Sequence, residues 1–162
     1  MAITSAICNS FKQEILVGTH NFTASSGNSF KIALFTSSAT LSKSTTAYTA
    51  PSDGSASPTN THEVSSDGTG YTTGGNALTS TTPVLSGDTA CCKFADTSIS
   101  SASFTARGCL IYNSSQSNKA VCAVNFGADK TVTSGTFTIQ FPAKYLAPKH
   151  DAISNNMRRL LK

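Results

Sequence analysis

Gly108-Cys-Leu-Ile-Tyr112 and Lys119-Ala-Val-Cys-Ala-Val-Asn-Phe126 are two apolar runs flanking the polar segment Asn113-Ser-Ser-Gln-Ser-Asn118. Each is too short for a typical globular helix and is bounded by turn residues, so the pair predicts an antiparallel hairpin. Similar runs lie to either side: Phe30 to Phe35, Ala77 to Leu85, Thr89 to Ala95, Ser103 to Ala106 and Gly135 to Phe141. Turn residues separate them at intervals of roughly ten residues, the cadence of a β-sandwich or Greek-key barrel. The predicted fold is all-β, an antiparallel β-sandwich of jelly-roll or Greek-key kind. A solenoid would need a repeated motif, and none is present.

Composition agrees. The chain has 162 residues, enough for one domain with its own core. Only 12% are charged, against about a quarter in ordinary soluble domains, while 25 Ser and 23 Thr supply polarity without long side chains. Such a sequence does not build long charged helices. One short helix is predicted over residues 5 to 18, with Ser5 as cap, Ile7, Phe11 and Ile15 on one stripe, and Gly18 as stop. Leu41 to Asn60 is read as a long exposed loop, because Ser, Thr, Ala, Pro and Gly offer little apolar area to offset ordering entropy. Glu63 to Tyr71 reads as short extended pieces around an Asp67-Gly68 turn.

Net charge is +4, and its location matters more than its size. Residues 1 to 143, the predicted body, carry seven Lys or Arg and seven acids; residues 144 to 162 carry Lys144, Lys149, Arg158, Arg159 and Lys162 against Asp151 alone. The whole excess lies in a basic C-terminal arm. Within it Ile153, Met157, Leu160 and Leu161 fall at i, i+4, i+7 and i+8, the stripe of a short amphipathic helix that docks on a partner or folds back on its own sheet. Five cations without an interleaved aromatic ladder make a weak nucleic-acid signal, and a solvated terminus is the competing reading. No apolar run approaches the roughly 20 residues of a membrane helix, and the first ten residues lack a secretory signal, so synthesis in the cytoplasm is expected.

Cys8, Cys91, Cys92, Cys109 and Cys122 are an odd set without a C-x-x-C, which argues against zinc and thioredoxin-like chemistry. Pairing Tyr112 with Lys119 in the hairpin places Cys109 opposite Cys122, close enough for an internal disulfide. The competing reading makes both small buried hydrophobes. Cys91 and Cys92 leave opposite faces of one strand, so one is expected inside and the other available. Cys8 with one of these two is then a candidate for bonds between chains, formed after assembly or release from the cell.

No cofactor, metal or catalytic constellation is legible. His20, His62 and His150 are scattered and are read as surface histidines. His62-Glu63 is a weak acid–base pair, since strand neighbours point apart. Gly68-Thr-Gly70 and Gly74-Gly75 lack the context of a phosphate loop. A polysaccharide-degrading enzyme on a β-sandwich would need convergent carboxylates and aromatic platforms; nothing selects two of the eight acids, and Trp is absent. The expectation is a protein that is not an enzyme.

Four segments carry a resemblance: Asn9-Ser-Phe-Lys-Gln-Glu-Ile-Leu-Val-Gly-Thr-His-Asn-Phe22, Phe30-Lys-Ile-Ala-Leu-Phe-Thr-Ser-Ser38, Gly70-Tyr-Thr-Thr-Gly-Gly-Asn-Ala-Leu78 and Phe104-Thr-Ala-Arg-Gly-Cys-Leu-Ile-Tyr-Asn113. Together they resemble the small structural proteins of tailed bacteriophages and prophages, over residues 9 to about 142. The resemblance implies a virion location and a minor capsid, decoration or tail-associated role. It implies major or minor capsid proteins as partners, and many copies or a homo-oligomer. Relatives would carry Val or Ala at Cys91, Cys92 and Cys109, so the thiols look like additions that reinforce a particle covalently. The resulting expectation is a decoration protein that cements capsid subunits, partly through intermolecular disulfides. The alternative within the same setting is a tail, collar or fibre component whose long loops bind a receptor.

Overall fold

The computed structural model describes residues 2–49 and 62–142. Its elements are β1 (Ala6–Ile7), α1 (Asn9–Leu16), β2 (Phe30–Phe35), β3 (Asn76–Leu78), β4 (Ser80–Ser86), β5 (Thr89–Phe94), β6 (Thr97–Asn113) and β7 (Lys119–Ile139). The protein is mostly antiparallel β-sheet with one short helix. A five-stranded sheet runs β1-β7-β6-β2-β3, and β4 and β5 form a separate two-stranded hairpin.

The predicted hairpin is present but longer and in another register. Ser103–Ala106 and Gly108–Tyr112 belong to one 17-residue strand, and Lys119–Phe126 and Gly135–Ile139 to one 21-residue strand. Register shifts absorb the polar interruptions without ending the ladder. At the turn, Asn113 pairs with Lys119, and Ile111 with Cys122 beyond a bulge. Cys109 therefore faces Val124, not Cys122. The reason is Asn113: it is a strand residue, and its Oδ1 accepts the Ser115 N–H at 3.1 Å to start the turn.

Both faces of the inner strands are covered, which explains why their sequences run apolar without alternation. One face carries Phe30, Ile32, Leu34, Cys109, Ile111 and Cys122. Phe22 stacks on Phe30 at 4.5 Å, and Phe94 of β5 meets Phe30 at 5.4 Å, so the segment after α1 and the β4–β5 hairpin close this side. The other face carries Ala33, Phe35, Leu110 and Tyr112, with Tyr48 stacked on Tyr112 at 4.5 Å.

Several local expectations change. The helix spans Asn9–Leu16; Ile7 lies in β1, and Cys8 is the N-cap without a side-chain cap bond. Ser5 Oγ instead accepts the Asn125 N–H, fixing the N-terminal strand to β7. Gly18 does end the helix, at φ 74°. Ala77 to Leu85 is split, β3 joining β2 and β4 joining β5. Leu41 and Tyr48 are core residues, so the beginning of the expected exposed loop is a strap over the sheet; its remainder, and the arm from residue 144, lie outside the described residues.

Candidate functional site

Each expected site residue has a definite place. Cys8 is fully buried, its thiol 3.9 Å from the Ser42 carbonyl. Cys109 and Cys122 are also buried, and share the Phe30 face as diagonal neighbours. Cys92 is half-buried and packs against this same core, while Cys91, on the opposite side of β5, is buried as well. All five thiols are free. Cys8 thus does not present its sulfur at the surface, contrary to the expectation, and of the adjacent pair Cys91 is the one inside and Cys92 the one left partly exposed. The Cys109–Cys122 bond is absent because the register sets the pair two residues out of opposition.

Burial governs the chemistry of these thiols. It pushes Cys8 up to about 11, with Glu14 adding to the shift and Lys12 opposing it. Burial alone takes Cys109 to about 12. Cys122 lies well above its ordinary value for the same reason, with smaller contributions from Cys109, Cys8 and Cys92. Cys92 is raised by burial and then by Cys91. Thiolate, the nucleophilic and metal-binding form, is suppressed at Cys8, Cys92, Cys109 and Cys122. Among the described residues no group of His, Cys, Asp and Glu is arranged to hold a metal.

Two polar networks went unseen in the sequence. In the first, Glu14 of α1 accepts from Lys119 at 2.7 Å and bonds His20 at 2.8 Å. Asn113 Nδ2 lies 2.9 Å from His20 Nδ1 and donates to Asn28 Oδ1 at 3.0 Å. Because Asn113 Oδ1 is taken by Ser115, its amide nitrogen faces the ring; Nδ1 accepts and Nε2 donates to Glu14. His20 is thus a core residue and not a surface one, with both ring nitrogens engaged. Burial works against ionised Glu14, but the Lys119 and His20 hydrogen bonds outweigh it and hold the carboxyl below its usual range.

The second network ties the strap to the sheet. Glu63 Oε1 accepts from Tyr71 Oη at 2.6 Å and from the Gly74 N–H at 2.7 Å, and Oε2 accepts from Tyr48 Oη at 2.9 Å. Tyr71 Oη also accepts the Leu34 N–H at 3.0 Å, and Tyr112 Oη donates to the Gly74 carbonyl at 2.7 Å. Burial and then the Glu63 charge push the Tyr71 and Tyr112 phenols up. These groups bond one another and hold the 62–75 segment against β2. His62, half-buried, contributes its carbonyl to Thr36, while His150 lies outside the described residues.

Among the described residues five large aliphatic side chains are exposed. Ile15, Leu16 and Val17 at the end of α1 are 45%, 85% and 75% exposed, and Val84 and Leu85 on β4 are 40% and 76%. Ile15 was read as part of the helix's inward stripe; with Ile7 outside the helix, Phe11 alone anchors that face. An uninterrupted run of three exposed aliphatic side chains next to a rigid sheet is the kind of surface that protein contacts cover. The arm residues Ile153, Met157, Arg158, Arg159, Leu160 and Leu161 lie outside the described residues. Among the described residues no helix is long and apolar enough to cross a membrane. Comparison with protein-family models, with curated proteins and with solved structures finds no match for this chain.

Proposed function

We propose that the chain is a non-enzymatic structural protein of a tailed-phage virion, a capsid decoration protein that links neighbouring shell subunits. Its body is a β-sandwich of Greek-key or jelly-roll kind, the five-stranded sheet stacked with the β4–β5 hairpin. The exposed Ile15-Leu16-Val17 run carries this reading. Burying one Leu or Val side chain contributes about 1.5–3 kcal/mol, so three such residues are of the same order as the cost of fixing one free subunit, about 4–15 kcal/mol, and leave little net affinity. Such a surface holds poorly to one partner in solution and well in a lattice that presents many, where linked contacts raise effective concentration. A ligand of the assembled shell alone stabilises that state by mass action. Seven cations balanced by seven acids in residues 1 to 143 let copies pack without strong repulsion. Cys92, the half-buried thiol, is the remaining candidate for a covalent link to a neighbour.

The test is the particle. Copies by the hundred over the shell, and a lower shell melting temperature when Leu16→Ser and Val17→Ser are combined, are expected. A dozen or fewer copies at one vertex would overturn the decoration role in favour of a collar or tail component. Gels of particles run with and without reductant test the Cys92 link separately.

A further inference from the structure

The chain leaves the described body at Phe141 and Pro142, and its place of departure is fixed by two contacts. The Phe141 ring lies 5.7 Å from Phe94, and the Phe141 N–H donates to Asp96 Oδ1 at 2.8 Å. Phe94 ends β5, so the C-terminal segment starts at the base of the β4–β5 hairpin. On β5, Ala90, Cys92 and Phe94 share one side, and Leu85 is paired directly with Ala90. The side that meets the core with Phe94 and Cys92 therefore continues outward as an apolar strip ending in Leu85. Asp88, exposed in the turn beyond it, places a negative charge at the tip.

The following twenty residues, 143 to 162, match that strip in chemistry and reach. Ile153, Met157, Leu160 and Leu161 supply an apolar stripe, and Arg158 and Arg159 supply charge opposite to Asp88. Read as a helix, residues 153 to 161 span about 13 Å, enough to cross both strands of the hairpin at Ala90 and Leu85. The ten residues between Pro142 and Ile153 extend to as much as about 35 Å. A tether this short gives an effective concentration of about millimolar, favouring the chain's own hairpin over that of another copy.

We propose that the exposed Ala90–Leu85 pair is the docking surface for this chain's own C-terminal segment, Ile153 to Leu161, with Arg158 and Arg159 turned toward Asp88. The test compares the full chain with the full chain carrying Leu160→Ser and Leu161→Ser, changes that leave the body's sequence intact. Amide hydrogen exchange over residues 84 to 91 is expected to be about tenfold slower in the parent, independent of protein concentration, with a monomer mass by sedimentation. Arg158→Glu with Arg159→Glu is expected to lose most of that protection, and Asp88→Lys added to it to restore part. Protection below about threefold overturns the proposal. Protection that rises with concentration alongside a dimer mass overturns it in favour of a second copy.

Discussion

Alkylation of the native protein separates sulfur that is chemically available from sulfur that is packing material. An unperturbed thiol here has the value 9.0, and Cys8 stands at about 11. At pH 8 the thiolate fraction of Cys8 is thus about 100-fold below that of an unperturbed cysteine. Cys109, at about 12, is lowered by about 1,000-fold. Both are also buried, so a reagent needs local opening before it meets the residual thiolate, and the observed rates fall further. Cys92 is half-buried, and the penalty of opening is smallest there. A brief pulse of iodoacetamide at pH 8, followed by digestion and mass spectrometry of each cysteine, is expected to label Cys92 first. Cys8, Cys109 and Cys122 should stay unmodified until urea unfolds the chain. Modification of any of these three within tenfold of its rate in urea would refute the assignment of burial and of its electrostatic consequence.

Three further outcomes follow from the same geometry. At Gly75, with φ 74°, an added Cβ would overlap the Ile32 carbonyl, whereas Gly18 has the same φ and open space around it. Gly18→Ala should cost about 1 kcal/mol from backbone strain alone, and Gly75→Ala more than about 3 kcal/mol, since β2 must move as well; urea unfolding measures both. Tyr71→Phe removes the acceptor of the buried Leu34 N–H together with a donor to Glu63, and should cost about 1–3 kcal/mol in the same assay. The pH dependence of stability has two limbs. Folded Glu14 holds its proton less tightly than the unfolded chain, so its contribution is full above the ordinary value of 4.5 and is lost as pH falls through the folded value. Cys8 and Tyr71 hold theirs more tightly when folded; their contributions are full below 9.0 and 10.0 respectively and are lost as pH rises toward the folded values. Thermal melts across pH should show Glu14→Gln flattening the acid limb, with a smaller change on the basic limb because Cys8 loses the Glu14 charge beside it.

The strand content was legible because it is written in local pattern. Phe30 to Phe35 and Thr89 to Phe94 emerge almost as read, and Asp67-Gly68 is a turn with Gly68 at positive φ. What failed depends on residues far apart in the chain. Asn113 looks like the first residue of a turn until its amide is seen between His20 and Asn28, more than 80 positions earlier. That contact keeps it in the strand and moves the register past the cysteine pair. His20 looks exposed beside Thr19 and Asn21, yet Glu14, six residues before it on α1, bonds it inside, with Lys119 of β7 on the same carboxylate. Leu41 and Tyr48 sit in a Ser/Thr-rich stretch whose average polarity hides two core side chains. The Glu63 network joins four elements, and its only local trace is an acid near several tyrosines.

Burial also decides where any linking function can reside. Cys109, paired with Leu34 and Val124, and Cys122, paired with Ile111 and Ile7, lie in the buried core on the face shared with Phe30, where a thiol serves as a small apolar side chain. Bringing either sulfur to a neighbour would open the main core, at a cost on the scale of the whole folding free energy, about 5–15 kcal/mol. The same applies to Cys8, which lies sealed where the N-terminal strand meets α1. Under the proposed linking role, cohesion rests on groups already outside, such as the aliphatic run at residues 15–17 and the half-buried Cys92, whose use requires no loss of fold.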